Sequence, residues 1–157
     1  MTSRERRITV IDDHDETLQL LTDVLEGDGY QVTGLAAVDP QLRALRASRP
    51  DLMVVDLLLS SDQRGLSGWD VIRLARSHAD LHGLPALIIS ADYPTLRTIK
   101  HEAGRMEHLG LLAKPFALDE LRAKVAELLS DTGAPRDAQP EGAYAGGSLS
   151  PPGGAIP

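Results

Sequence analysis

Residues 52–59 read Leu-Met-Val-Val-Asp-Leu-Leu-Leu, an apolar run with a single carboxylate, Asp56, inside it. The run is short and aliphatic, which predicts a strand that is covered on both faces rather than a helix. A carboxylate in such a run is unfavourable unless charged or hydrogen-bonding partners meet it there. Asp56 is therefore the first candidate for a functional residue.

Similar aliphatic runs lie on both sides of this stretch, and segments with helical spacing separate them. The predicted strands are residues 8–11, 31–36, 52–59, 85–89 and 109–113. The predicted helices lie near residues 15–27, 40–48, 68–79, 94–104 and 117–129. This strict alternation predicts an α/β fold with a doubly wound parallel sheet of five strands and five helices.

Residues typical of helix ends support several of these boundaries. Asp39 and Pro40 resemble an N-cap followed by proline at the first helical position, and Ser67 is placed to cap the third helix. Asp119 and Glu120 are predicted in the first turn of the last helix, where their charges suit the helix dipole.

Polar side chains stand where the predicted strands end. Asp12 and Asp13 follow the first strand, Asp56 lies in the third, Ser90 follows the fourth and Lys114 follows the fifth. The carboxyl ends of parallel strands form the ligand-binding edge of such sheets, so these groups are expected to converge. Three carboxylates repel one another unless a cation joins them, and an all-oxygen set favours Mg²⁺. The lysine adds a charge for phosphoryl oxygens.

In these residues the chain resembles a response-regulator receiver domain of two-component signalling, from about Arg7 to Ser130. The motifs are Asp12-Asp13 after ITVI, Asp56 after MVV, Ser90-Ala91 after ALII and Lys114-Pro115-Phe116 after LLA. The resemblance implies a flavodoxin-like sheet with strand order 2-1-3-4-5. It also favours a stand-alone receiver with no attached output domain.

The resemblance further implies a metal site. Asp13 and Asp56 would bind Mg²⁺ directly, Asp12 would bind it through water, and the backbone carbonyl of Leu58 would complete the protein ligands. The activity would be signalling, with catalysis limited to the domain's own phosphorylation and dephosphorylation.

The phosphoryl chemistry is likewise implied by the resemblance. Asp56 would accept a phosphoryl group from the phosphohistidine of a sensor histidine kinase or phosphotransfer protein. Lys114 and Ser90 would contact the phosphoryl oxygens, and Lys114-Pro115 would be a cis peptide. The changed surface would then engage a downstream protein of unknown identity.

The sequence departs from the family pattern at three places. The segment from Ser60 to Gly68 is longer than the usual turn, Leu111 stands where an aromatic switch residue is common, and Leu58 is apolar. These departures keep an alternative open, a pseudo-receiver that binds partners without being phosphorylated. A Mg²⁺-dependent phosphohydrolase with an aspartate nucleophile ranks lower. Such an enzyme needs a second catalytic acid two residues after the nucleophile, and Leu58 occupies that position. The sequence contains no Gly-x-x-x-x-Gly-Lys loop after a predicted strand, which disfavours a nucleotide-binding enzyme.

Composition bounds the remaining possibilities. The 157 residues carry 16 basic and 23 acidic groups, a net charge of −7, which disfavours direct nucleic-acid binding. The absence of cysteine excludes disulfides and thiol chemistry, and no apolar run is long enough for a membrane span, so a cytoplasmic protein is expected. Residues 1–130 are predicted to form the receiver domain, and residues 131–157, with 6 Gly and 5 Pro, a disordered tail.

The histidines form no clear metal-binding pattern and are predicted to lie at the surface. They are His14, His78, His82, His101 and His108. His14 adjoins the acidic pair, where contact with the donor protein is a possible role.

Overall fold

A computed structural model of the chain describes residues 4–59 and 66–131. Strands and helices alternate along it. The strands are β1 (Arg7–Ile11), β2 (Gln31–Leu35), β3 (Leu52–Asp56), β4 (Ala86–Ser90) and β5 (Leu109–Ala113). The helices are α1 (Asp15–Gly27), α2 (Arg43–Ser48), α3 (Gly68–Ser77), α4 (Tyr93–Ala103) and α5 (Leu118–Asp131).

The five strands form one parallel sheet in the order β2-β1-β3-β4-β5, which confirms the predicted α/β fold. The register places Ile11 beside Val55, and Asp56 beside Ile89. Since all strands run in one direction, the residues that follow β1, β3, β4 and β5 meet at a single edge.

Alternate residues of the central strands pack into two separate cores. Met53 and Val55 face a core shared with α2, α3 and α4. Leu52 and Val54 face a second core shared with α1 and α5. Every residue of β3 is buried, as expected for the central strand of a sheet covered on both faces. Asp56 is thus fixed by a strand that packing holds on both sides.

Two local predictions are wrong. Strand β2 is not covered on both faces, because it is an edge strand and three of its five residues are exposed. Helix α2 begins at Arg43 rather than at residue 40. The Asp39 carbonyl instead accepts a hydrogen bond from the Leu42 amide, which closes a turn, and Leu42 adopts a left-handed conformation with φ of 53° before the helix starts.

The other helix starts were predicted with more success. Ser67 caps α3 through a capping box with Asp70, and Asp119 and Glu120 lie in the first turn of α5. The N-cap of α1 is His14, with no side-chain capping bond, so none of the neighbouring aspartates fills that role.

Two predicted features fall on parts of the chain outside the described residues. These are most of the long segment after β3, residues 60–65, and the predicted tail after Asp131. The ends of the long segment are defined, because the Gly68 amide donates a hydrogen bond of 3.0 Å to the Leu57 carbonyl. Within the described ranges, no helix has the length and apolar character needed to cross a membrane.

Candidate functional site

Asp56 lies at the end of β3 and its two carboxylate oxygens have different partners. Oδ1 accepts a hydrogen bond of 2.8 Å from the Leu58 amide. Oδ2 accepts one of 2.7 Å from Nζ of Lys114. The residue is only 6% exposed, so both contacts form where water screens them weakly. The carboxylate is therefore held in one orientation, with Oδ2 beside a positive charge.

The acidic pair after β1 lies next to this carboxylate. Asp12 is buried, its Oδ2 is 3.7 Å from Lys114 Nζ, and its Oδ1 accepts a 2.9 Å hydrogen bond from the His14 amide. Oδ1 of Asp13 is 3.0 Å from Nδ1 of His14. Lys114 thus contacts the carboxylates at the ends of two adjacent strands, Asp12 directly after β1 and Asp56 as the last residue of β3.

Ser90 and Lys114 are joined through the backbone of β4 and β5. The Lys114 amide donates to the Ser90 carbonyl at 2.8 Å, and the Ser90 hydroxyl accepts a 3.0 Å hydrogen bond from the Asp92 amide. The Lys114-Pro115 peptide is cis, as predicted. The Tyr93 hydroxyl, at the start of α4, donates a 2.6 Å hydrogen bond to the Lys114 carbonyl.

The site is electrostatically unbalanced. Three carboxylates, on Asp12, Asp13 and Asp56, against the ammonium of Lys114 leave a formal charge of −2. Burial raises the pKa of Asp12, and the neighbouring Asp56 charge raises it further, against the lowering effect of the His14 amide. A divalent cation would offset this charge, and carboxylate oxygens are the ligands that Mg²⁺ prefers. The residues present therefore fit a divalent ion.

Replacing Asp12 by asparagine should stabilise the metal-free protein at neutral pH. A carboxyl whose folded-state pKa is raised favours folding less as the pH rises from its ordinary value of about 4 through the raised pKa. Asparagine removes that penalty, so in the presence of EDTA the variant should be more stable than the wild type at pH 7, with a smaller difference near pH 4. Urea unfolding at both pH values measures this, and a less stable variant at pH 7 would contradict it.

The structure brings most of the predicted site residues together. Asp12, Asp56 and Lys114 are in direct contact, whereas Ser90 is linked to Lys114 through main-chain atoms. Leu58 supplies its amide to Asp56, and its side chain is 49% exposed.

Two contacts at the site were missed by sequence reasoning. One is the Tyr93 hydroxyl on Lys114, and the other is the ring nitrogen of His14 on Asp13. The position of Tyr93 three residues after Ser90, beside the predicted site, was the available indication for the first.

A carboxylate beside a lysine and an acidic pair, at the ligand-binding edge of a doubly wound sheet, forms a site suited to a divalent cation and a phosphoryl group. A family model, the response regulator receiver domain, matches residues 8–126 of this chain. The chain belongs to that family. It is thus a receiver domain of two-component response regulators, a signalling module rather than a classical enzyme.

Curated relatives include longer proteins. The DNA-binding response regulator MtrA of Mycolicibacterium smegmatis is 32% identical over 126 residues, which are 80% of this chain and 51% of MtrA. The response regulator MprA of Mycobacterium avium is 34% identical over 138 residues, 85% of this chain and 55% of MprA. The chain spans about half the length of the curated relatives it matches, so the stand-alone organisation stays a prediction.

Solved structures show the same fold. The chemotaxis response regulator CheY4 of Vibrio cholerae aligns with a TM-score of 0.64 and 20% identity, over 80% of this chain and 99% of CheY4. A signal receiver domain of a histidine kinase from Syntrophus aciditrophicus aligns with a TM-score of 0.68 and 22% identity, over 82% and 92% of the two chains.

Proposed function

We propose that this domain accepts a phosphoryl group on Asp56 from the phosphohistidine of a sensor histidine kinase or phosphotransfer protein, and signals through a changed surface. The observation that carries the proposal is the pairing of a buried Asp56 carboxylate with Lys114 at 2.7 Å. The Lys114 side chain is 24% exposed, and an ion pair that water reaches from one side contributes little net stability, which favours a chemical role over a structural one. Membership of the receiver family supports the same role.

The two oxygens of Asp56 have separate tasks in this proposal. Oδ1 is held by the Leu58 amide, which leaves Oδ2, beside Lys114, as the nucleophile. Oδ2 forms a bond to phosphorus as the bond between phosphorus and the donor imidazole nitrogen breaks, and the donor histidine keeps that electron pair. Lys114 then pairs with the phosphoryl oxygens instead of the carboxylate. Catalysis is positioning and charge neutralisation, because the loose transition state requires little more.

The proposal includes a Mg²⁺ site on Asp13, Asp56 and the Leu58 carbonyl, with Asp12 acting through water. Its support is the buried carboxylate cluster and its formal charge of −2, from three carboxylates and one ammonium. The ion would supply positive charge to the transferring phosphoryl oxygens.

The conformational change that follows phosphorylation would begin at Ser90. Its hydroxyl now accepts from the Asp92 amide, and Asp92 caps α4 through Thr95. A hydroxyl that turns toward a phosphoryl oxygen gives up the Asp92 contact, which loosens the start of α4. Leu111, partly buried against the α3 and α4 core, has no ring to exchange between buried and exposed positions. The segment after Ser90 would therefore carry more of the change than β5.

Phosphorylation by a small donor tests the proposed function. The intact mass should increase by one phosphoryl group when the protein is incubated with acetyl phosphate and Mg²⁺, and the increase should disappear when EDTA replaces Mg²⁺. A mass that stays unchanged in both conditions would favour the alternative, a pseudo-receiver that binds partners without phosphorylation.

Leu58 should lengthen the lifetime of the phosphorylated state. Its half-exposed aliphatic side chain follows Asp56 by two residues and offers no hydrogen bond to an attacking water. We expect Leu58→Asn to lose its phosphoryl group several-fold faster, about 1 kcal/mol in barrier height for a fivefold change. Decay is followed by intact mass after the acetyl phosphate is removed. Leu118→Asn, another exposed leucine, is the control, and an equal or slower decay of Leu58→Asn would contradict the prediction.

The remaining parts of the proposal concern organisation and location. We propose a receiver domain over residues 1–130 followed by a disordered segment, because glycine and proline are concentrated after residue 130. We also propose a cytoplasmic location and no direct nucleic-acid contact by this domain, given the absence of cysteine and the charge of −7. DNA binding is stated for MtrA, of which this chain matches about half.

A further inference from the structure

His14 occupies the N-cap of α1, with extended backbone angles and no capping bond from its side chain. The imidazole is 65% exposed, yet its Nδ1 atom points to the acidic pair. Nδ1 lies 3.0 Å from Asp13 Oδ1 and 3.4 Å from Asp12 Oδ1. The ring therefore presents one nitrogen to the buried carboxylates from the solvent side.

His14 belongs to the group of residues whose ligand atoms meet at the centre of the site. One atom each from Asp12, His14 and Asp56 lies within 4.8 Å of the other two. Ligand atoms that share one ion are roughly 3 to 4.5 Å apart, so small side-chain movements would bring all three onto a common ion. Among the described parts of the chain, this is the one such group with mixed nitrogen and oxygen donors.

We propose that His14 Nδ1 is a metal ligand that makes this site favour first-row transition ions such as Zn²⁺ over Mg²⁺. The inference rests on the proposed function, since its carboxylates are those of the proposed Mg²⁺ site. Imidazole nitrogen binds zinc, nickel and iron well, whereas Mg²⁺ prefers oxygen ligands. An imidazole beside a carboxylate cluster therefore increases the affinity for zinc, nickel and iron, and changes the affinity for Mg²⁺ little.

A second possible role of His14, as an internal cation, predicts the opposite effect on metal binding. A protonated His14 would pair with Asp12 and Asp13 as an internal cation and hold every metal ion away. Removing the ring would then strengthen the binding of Mg²⁺ and Zn²⁺ alike. The effect of removing the His14 ring on the affinities for Mg²⁺ and Zn²⁺ therefore shows whether His14 is a metal ligand or a cation that competes with the metal.

Calorimetric titration of the full chain with Mg²⁺ and with Zn²⁺, each alone, tests the proposal. His14→Ala should weaken Zn²⁺ binding by at least about 10–100-fold, because the loss of a direct ligand costs no less than the loss of an outer hydrogen-bond partner of a metal site, and should change Mg²⁺ binding little. His14→Asn should behave in the same way while providing a good helix cap, which excludes fraying of α1 as the cause. His101→Ala, exposed on α4, is the control for zinc bound at other histidines.

The outcomes separate this inference from the proposed function. Zn²⁺ binding that is equal in the wild type and both His14 variants would overturn the inference, as would tighter binding of both ions in His14→Ala. If Mg²⁺ binds and acetyl phosphate labels the protein in that case, the proposed function stands alone. Zn²⁺ binding that depends on His14, without Mg²⁺ binding or phosphorylation, would support the inference and contradict the proposed function.

Discussion

Asp56→Asn should abolish phosphorylation by acetyl phosphate in the presence of Mg²⁺. The variant keeps the shape of the side chain and an oxygen to accept the Leu58 amide, but an amide group is not a nucleophile toward phosphorus. It also removes the charge that holds Lys114 at 2.7 Å. Intact mass should show one added phosphoryl group on the wild type and none on the variant, the largest functional effect that a single substitution can have here.

Asp51→Asn is the matched control for this prediction. Asp51 is buried just before β3, at the opposite end from Asp56, and accepts a 2.8 Å hydrogen bond from the Arg7 amide. Its replacement should lower the free energy of unfolding while leaving phosphorylation intact. Equal labelling of the Asp56→Asn variant and the wild type would show that another residue accepts the phosphoryl group.

Gly68→Ala should have the largest effect on stability. Gly68 begins α3, and a Cβ atom added there would overlap the carbonyl oxygen of Asp56 and crowd the backbone of Leu57. Backbone atoms of a strand that is packed on both sides cannot rotate away as a side chain can, so α3 or the end of β3 must move. We expect a loss of about 3 kcal/mol, the upper end for overpacking, and slower phosphorylation because Asp56 is displaced. Urea unfolding and labelling rates measure the two effects.

Gly27→Ala provides the control. Gly27 ends α1, and an added Cβ would meet no other atom within 4 Å. This substitution should change the free energy of unfolding by less than about 1 kcal/mol and leave the labelling rate unchanged. Similar stabilities for the Gly68 and Gly27 variants would show that the contact between α3 and Asp56 relaxes easily.

The fold was predictable because buried positions are apolar and recur in the sequence with the period of each helix or as continuous runs in each buried strand. Strands β3 and β4 are buried at every residue, and each is an aliphatic run up to its last residue, Asp56 or Ser90. The mistakes occur where burial is partial or the backbone is unusual. β2 is an exposed edge, and the left-handed conformation of Leu42, which sets the start of α2, is one that its side chain does not favour.

The positions of the site residues were predictable, but their contacts were not. Strand order and parallel direction were enough to place Asp12, Asp56 and Lys114 at one edge. The contacts of Tyr93 with Lys114 and of His14 with Asp13 depend on loop dihedral angles and rotamers, which a linear sequence does not determine. A tyrosine or histidine near a site is common, so neither residue type alone indicated its role.

The Gly68 amide is hydrogen-bonded to the Leu57 carbonyl. Because of this bond, the geometry of the site does not depend on the length of the chain that connects β3 to α3. Since this bond fixes the two ends beside Asp56, additional residues between them change mainly the entropy of closing a loop, about 0.6 kcal/mol for each doubling of its length. Natural selection can therefore add or replace residues between Leu59 and Leu66 without displacing the Asp56 carboxylate or the Leu58 amide that holds it. The same position is a favourable place for a protein engineer to insert a reporter peptide or a new recognition sequence into this domain.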